Sequence, residues 1–274
     1  MQLFDFQDGK GPVPAYQHIN PDGSTGGWVA DTAEVAASAY IGPEARVFGN
    51  ALVSKKVWIY ENAQVYGNAY ISGKARVYGD AQVYGDARIS QKANILGSSE
   101  VFGQARVFGA AMVFDEANVY GSAEVSAQAS IHGCAEVFGE AQISGSGEVF
   151  GYSRVYDRAR ISDGAMIYDG AVIGENAWIR GDATVFGNAE VYGNAEVHFS
   201  KLRRGKHFVS PPQAFLGRFP AIFDGEYLTV ECCSYSLDYW IENVEALADE
   251  HRATREEMVA IRAYAKMLQE IRAA

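Results

Sequence analysis

A chain of 274 residues with a formal charge of −11 has room for one elongated domain with appendages, or for two modules. The acidity is uneven: residues 201–274 hold 10 Lys+Arg against 11 Asp+Glu, leaving 13 against 23 in residues 1–200, a balance that disfavours direct binding of nucleic-acid phosphates along the body. No apolar run is long enough to span a bilayer and no secretory leader is visible; three cysteines, Cys134, Cys232 and Cys233, without metal-ligand spacing point to reduced thiols and a cytoplasmic location.

Residues 1–26 precede any regularity. Leu3, Phe4 and Phe6 suit a short strand, followed by the turn-rich stretch Asp8–Pro12 and by Pro21–Trp28. The glycines match no nucleotide-binding spacing and no helix follows them. Because the end of a stacked-strand fold is a row of unpaired N–H and C=O groups, this segment is expected to be a cap.

From Gly27 to Ser200 the chain is one six-residue word repeated 29 times without a gap, such as Ala45-Arg-Val-Phe-Gly-Asn50. Position 3 is Val or Ile in all 29 hexads and position 1 is Ala in 24. Strand alternation puts these two on one face, where β-branched side chains suit a buried sheet. Position 2, mostly Arg, Gln, Glu or Asn, then faces water. Gly-Asn and Gly-Asp pairs at positions 5 and 6, as at Gly67-Asn68 and Gly79-Asp80, supply the positive φ of a tight bend. Each hexad is one strand and one corner, and such a period is the signature of a parallel β-solenoid.

Position 4 carries a second, 18-residue period. Every third hexad brings Phe48, Tyr66, Tyr84, Phe102, Tyr120, Phe138, Tyr156, Gly174 and Tyr192 into one row. A second row holds Tyr60, Tyr78, Leu96, Phe114, His132, Phe150, Tyr168 and Phe186, and a third is mostly serine, from Ser54 to Ser162, interrupted by Phe108. Three hexads therefore make one triangular coil, and about ten coils make a prism. Rings stacked at strand spacing suit contact with a protein surface, a sugar or a second prism, and equally suit packing on one another.

After Ser200 the word stops. Residues 201–218, with the basic run Lys201–His207 and then Pro211-Pro212, read as a linker, the basic run also suiting an anionic partner. Residues 219–274 read as a small ββαα module. Ala221–Glu231 gives a hairpin turning at Asp224-Gly225. Ser236 caps a helix through Leu237, Trp240, Ile241, Val244 and Leu247, and the Thr254-Arg-Glu-Glu257 box opens a second through Met258, Ile261, Tyr264, Met267, Leu268 and Ile271.

Hexads such as Ala171-Val-Ile-Gly-Glu-Asn176 and Ala177-Trp-Ile-Arg-Gly-Asp182 resemble the repeat of the hexapeptide-repeat, left-handed β-helix superfamily. The opening Gly26-Gly-Trp-Val-Ala-Asp-Thr-Ala33 is similar to that of bacterial and prophage hexapeptide proteins usually named acyltransferases on repeat similarity alone. The left hand is an implication of this resemblance, since parallel crossovers in general favour the right. So are parallel trimers and two chemistries: acyl transfer from acyl-CoA with a histidine general base, and zinc-dependent carbonic anhydrase activity. The residues favour neither. Only His132 and His198 of the five histidines (His18, His132, His198, His207, His251) lie in the repeat, and no hexad is interrupted by a loop that would wall a cleft.

The expectation is therefore a non-catalytic, rigid β-helical scaffold that self-associates or binds a protein partner, with no cofactor and no metal. Its candidate contact residues are the two aromatic rows with Trp240, Tyr264 and Met267, and a homo-oligomer is expected, a trimer before a dimer. The alternatives are an acyl-CoA-dependent acyltransferase, with His132 the one in-repeat base well inside the prism, and an acidic decoy for a nucleic-acid-binding protein.

Overall fold

The computed structural model describes residues 2–198, 201–204, 214–216, 219–223, 227–230, 233–251 and 253–273. Through the repeat, each hexad forms a short strand at positions 2 and 3 and then turns. Every strand pairs in parallel with the one a full coil away: Gln82–Val83 with Gln64–Val65 and with Glu100–Val101, and Tyr70–Ile71 with Arg88–Ile89. The register is 18 residues from Trp28↔Arg46 to Arg180↔His198.

Three sheets result, and they are the sides of a triangular β-solenoid. The first side runs from Thr25–Ala30 through Arg46–Val47 to Glu190–Val191, the second from Glu34–Val35 to Glu196–His198, the third from Tyr40–Ile41 to Lys201–Arg204. The stack closes about ten coils. Position 3 fills the axis: Val83, Val119 and Val137 are fully buried, as is the alanine at position 1 of almost every hexad, whereas Val35 in the opening coil is only partly covered. Each buried Val or Ile contributes roughly 1.5–3 kcal/mol of gross stabilisation, most of it offset by ordering entropy.

The corners show how residues other than glycine enter the bend. From Gly49 to Gly193, position 5 of every hexad has positive φ, including Glu61, Asp115, Asp163 and Asp169, a conformation costly for a residue with a Cβ. Each of these carboxylates accepts a hydrogen bond from the N–H at the same corner one coil on: Gly79 at 2.8 Å from Glu61, Gly133 at 3.2 Å from Asp115, Gly181 at 3.1 Å from Asp163, Gly187 at 3.2 Å from Asp169. A bond to an ionised acceptor helps offset the backbone cost.

The segment before the repeat extends the first side as an antiparallel meander. Gln2–Phe4 pairs with Val13–Ile19, which pairs with Thr25–Ala30. The exposed edge of the third side, at Tyr40–Ile41, is closed by side chains. Asn20 Oδ1 accepts from the Ile41 N–H at 2.8 Å while its Nδ2 donates to the Ile41 carbonyl at 3.1 Å, and His18 Nε2 lies 3.1 Å from the Ala39 carbonyl. One asparagine amide thus stands in for a missing strand, and both residues are buried. A Cβ on Gly26 would lie 2.4 Å from the Ile41 carbonyl oxygen, which is why the chain crosses this end on glycine.

At the other end Lys201–Arg204, read from the sequence as linker, pairs with Thr184–Asn188 in the third side, with the register slipping to Thr184↔Lys201. The two-stranded hairpin expected beyond it is part of a four-stranded antiparallel meander, Ala214–Leu216, Phe219–Phe223, Tyr227–Val230 and Cys233–Ser236. Strands of three to five residues are too short to show alternation, so the sequence pattern missed two of them. The expected turn at Asp224-Gly225 lies outside the described residues.

The helices α1 (Leu237–His251) and α2 (Arg255–Ala273) follow. Ser236 Oγ accepts from the Tyr239 N–H at 3.2 Å, and both arms of the second capping box form, Glu257 N to Thr254 Oγ1 at 3.2 Å and Thr254 N to Glu257 Oε2 at 2.8 Å. Leu228, Val230, Leu237, Trp240, Val244, Ile261, Tyr264 and Leu268 form a core of their own.

Candidate functional site

The 18-residue register brings each position-4 ring directly over its counterpart in the next coil. In the first row, Phe48, Tyr66, Tyr84, Phe102 and Tyr120 stack at 4.8–4.9 Å between centroids with planes within 6°. The row continues through Phe138 to Tyr156 and begins on the cap, where buried Phe6 stacks on Phe48 at 4.8 Å. The second row has two parts, Tyr60 on Tyr78 and, beyond Leu96, Phe114–His132–Phe150–Tyr168–Phe186.

Face-to-face stacking occupies the ring faces, so most of these side chains are half-buried and turn edges and hydroxyls outward. Several hydroxyls are tied to the next coil as well: Tyr66 to Gln82 at 3.1 Å and Tyr84 to Glu100 at 2.9 Å. Burial and the neighbouring carboxylate hold the Tyr84 phenol well above its usual range. What the rows present is a ribbed wall, apolar between the ribs and polar at the tips.

His132 occupies a rung of this wall. Its ring lies 4.6 Å from Phe114 and 4.9 Å from Phe150, parallel to both within 5°. Nε2 is 2.9 Å from Glu148 Oε1; Nδ1 is 3.9 Å from Asp115 Oδ2, beyond direct hydrogen-bond reach. In the tautomer that donates Nε2–H to Glu148, Nδ1 faces a carboxylate that already accepts from the Gly133 N–H. The nearby corner hollow is lined by Glu116, Asn118, Cys134, Glu136, Tyr152 and Arg154, without His132. Cys134 is a free thiol there, held above its usual pKa by desolvation first and then by Glu116 and Asp115.

In the C-terminal module, Trp240 and Tyr264 are buried in its own core, Trp240 donating its indole N–H to the Leu228 carbonyl, whereas Met267 is 43% exposed. Helical periodicity marks a face for burial but does not say against what. Of the three residues expected to contact a partner through these helices, Met267 is the one on the surface.

Among the described residues no group of three or more His, Cys, Asp or Glu side chains is placed to hold a metal ion, and no helix is long and apolar enough to cross a membrane. A family model described as the YdcK β-solenoid repeat matches residues 63–80, the 18 residues of one coil. No curated protein matches the chain. The coil match and the three parallel sheets place the chain among β-solenoid proteins.

Proposed function

We propose that the chain is a non-catalytic scaffold, a stiff β-helical rod that self-associates or carries a protein partner. The observation that supports this best is the continuity of the side-chain rows: a rung in almost every coil is committed to its neighbours above and below, which resists bending and leaves the surface itself as the functional feature. The ribbed first and third sides suit a flat partner such as a second prism. The resemblance to hexapeptide acyltransferases supplies the other reading, and the 2.9 Å contact between His132 and Glu148 is what favours it, since a carboxylate that orients an imidazole is a recurring arrangement for a general base. Light scattering at micromolar concentration tests the scaffold's self-association. A homo-oligomer, a trimer before a dimer, is the expected result; a monomer that captures no partner would reject the reading.

A further inference from the structure

All four lysines of the repeat, Lys55, Lys56, Lys74 and Lys92, lie on a single corner of the prism, the one joining the second side to the third, in three consecutive coils. Lys56, Lys74 and Lys92 occupy the same place in successive coils, and their backbones are tied to the next coil there: Lys56 N to Gly73 O at 3.1 Å, Lys74 N to Gln91 O at 2.6 Å, Lys92 N to Gly109 O at 2.8 Å. All four are exposed. Arg76, Arg88 and Arg106 flank them on the two adjoining sides, also exposed.

Across this corner and both its sides, in four successive coils (residues 51–60, 69–78, 87–96 and 105–114), there are these seven cations and no Asp or Glu. In a chain of net charge −11 this is a segregated field. The nearest acids of those coils, such as Glu61, Asp80 and Asp86, stand on the other two corners. From the lysine row those corners are roughly 15–20 Å away along a six-residue side, beyond the ~8 Å Debye length at physiological salt. Closer to the rim of the field, Asp86 lines a hollow with Arg88 and Arg106, and Glu34 lies beside Leu52 one coil before the lysines. Arg106 pairs with Glu124 of the next coil; none of the four lysines has a carboxylate within ion-pair reach among the described residues. Aromatic surface lies beside the row: Trp58, 48% exposed and stacked on Tyr40 at 4.7 Å, on the third side, and Tyr70, partly exposed, on the second.

We infer that this corner is a docking surface for a single-stranded nucleic acid, the lysine row tracking successive phosphates and Trp58 and Tyr70 offering ring surface to bases. A row of cations at coil spacing beside exposed rings is the combination by which strands are bound without sequence preference, and the unfavourable average charge of the body is weakened at the lysine row because the acids of its own coils stand on the other two corners. The inference goes beyond the scaffold reading and does not depend on it, since a monomer and an oligomer can both carry the surface.

The test is fluorescence anisotropy of a labelled oligothymidylate titrated with the full chain. Binding is expected, weakening about 50-fold from about 50 to 200 mM salt, as about four neutralised phosphates require. The triple variant K56E/K74E/K92E, whose exposed positions leave the core untouched, is expected to lose at least about tenfold with an unchanged melting temperature, and E140Q on another corner to bind like the parent. No anisotropy change at low salt would overturn the proposal, as would equal affinity of the triple variant. Retention of anionic vesicles or polyglutamate in place of the oligonucleotide would overturn it in favour of another anionic partner. A salt-sensitive oligomer that the triple variant dissolves, without oligonucleotide binding, would assign the corner to a second copy instead.

Discussion

The Tyr156 ring lies over Gly174. A Cβ on that glycine would stand 2.7 Å from the ring's Cζ atom. This is the one gap in the first aromatic row, and Tyr156 leans across it to meet Tyr192 edge-on at 6.5 Å. Gly174→Ala is therefore expected to push the tip of the Tyr156 ring out of the gap, at a cost of up to about 1.5 kcal/mol. Tyr156→Ala in the same chain should remove most of that cost. Urea denaturation of the two single variants and the double variant checks this: a coupling above about 0.5 kcal/mol is expected, and additive effects would mean the ring does not fill the gap.

Asn20 closes the edge at Ile41 with two hydrogen bonds. Asn20→Ala leaves a buried N–H and C=O without partners, at about 1–3 kcal/mol, and uncovers a strand edge able to pair with another chain. A lower melting temperature with concentration-dependent aggregation is expected. Asn20→Asp should restore only the bond from the Ile41 N–H.

Val119 is fully buried on the axis, and Glu124 pairs with Arg106 on the surface. Val119→Asp should cost several kcal/mol, because a carboxylate there has no partner. Glu124→Ala should fall within about 1 kcal/mol, as exposed ion pairs do. Chemical denaturation of each variant measures both.

Burial pushes the Tyr264 phenol up to about 12, against about 10 in an unfolded chain. Below pH 10 both states keep the proton and pH has no effect through this group. Between about 10 and 12 the unfolded state loses it first, so the core of α1 and α2 is expected to weaken as pH rises. Tyr264→Phe should flatten that part of the pH–stability curve, read by tryptophan fluorescence of the module; an unaltered slope would show that Tyr264 does not contribute to it.

The parts of the fold that were legible in the sequence are those that repeat. Val or Ile at position 3 marks the axis because nothing else tolerates the same place in every coil, and the 18-residue recurrence of Phe and Tyr at position 4 marks the rows of rungs. The capping box at Thr254–Glu257 was equally plain, being a local arrangement. Features that occur once were not. Asn20 and His18 act on a strand 21 residues away, which no period announces, and Phe6 joins the first row from outside the frame. The carboxylates at position 5 look like ordinary turn residues until the next coil's N–H is seen beside them. The lysine corner was present in the spacing of Lys56, Lys74 and Lys92, but the net charge of the body averaged it away.

The proposed scaffold role, in which His132 serves as a rung of the second row and not as a general base, can be checked by His132→Phe. Phenylalanine keeps the stack between Phe114 and Phe150 and removes both ring nitrogens. Acyl transfer from acyl-CoA to small acceptors, followed by release of free thiol, should be undetectable in parent and variant alike, and the two should share a melting temperature. Acyl transfer by the parent that His132→Phe abolishes, with melting unchanged, would contradict it.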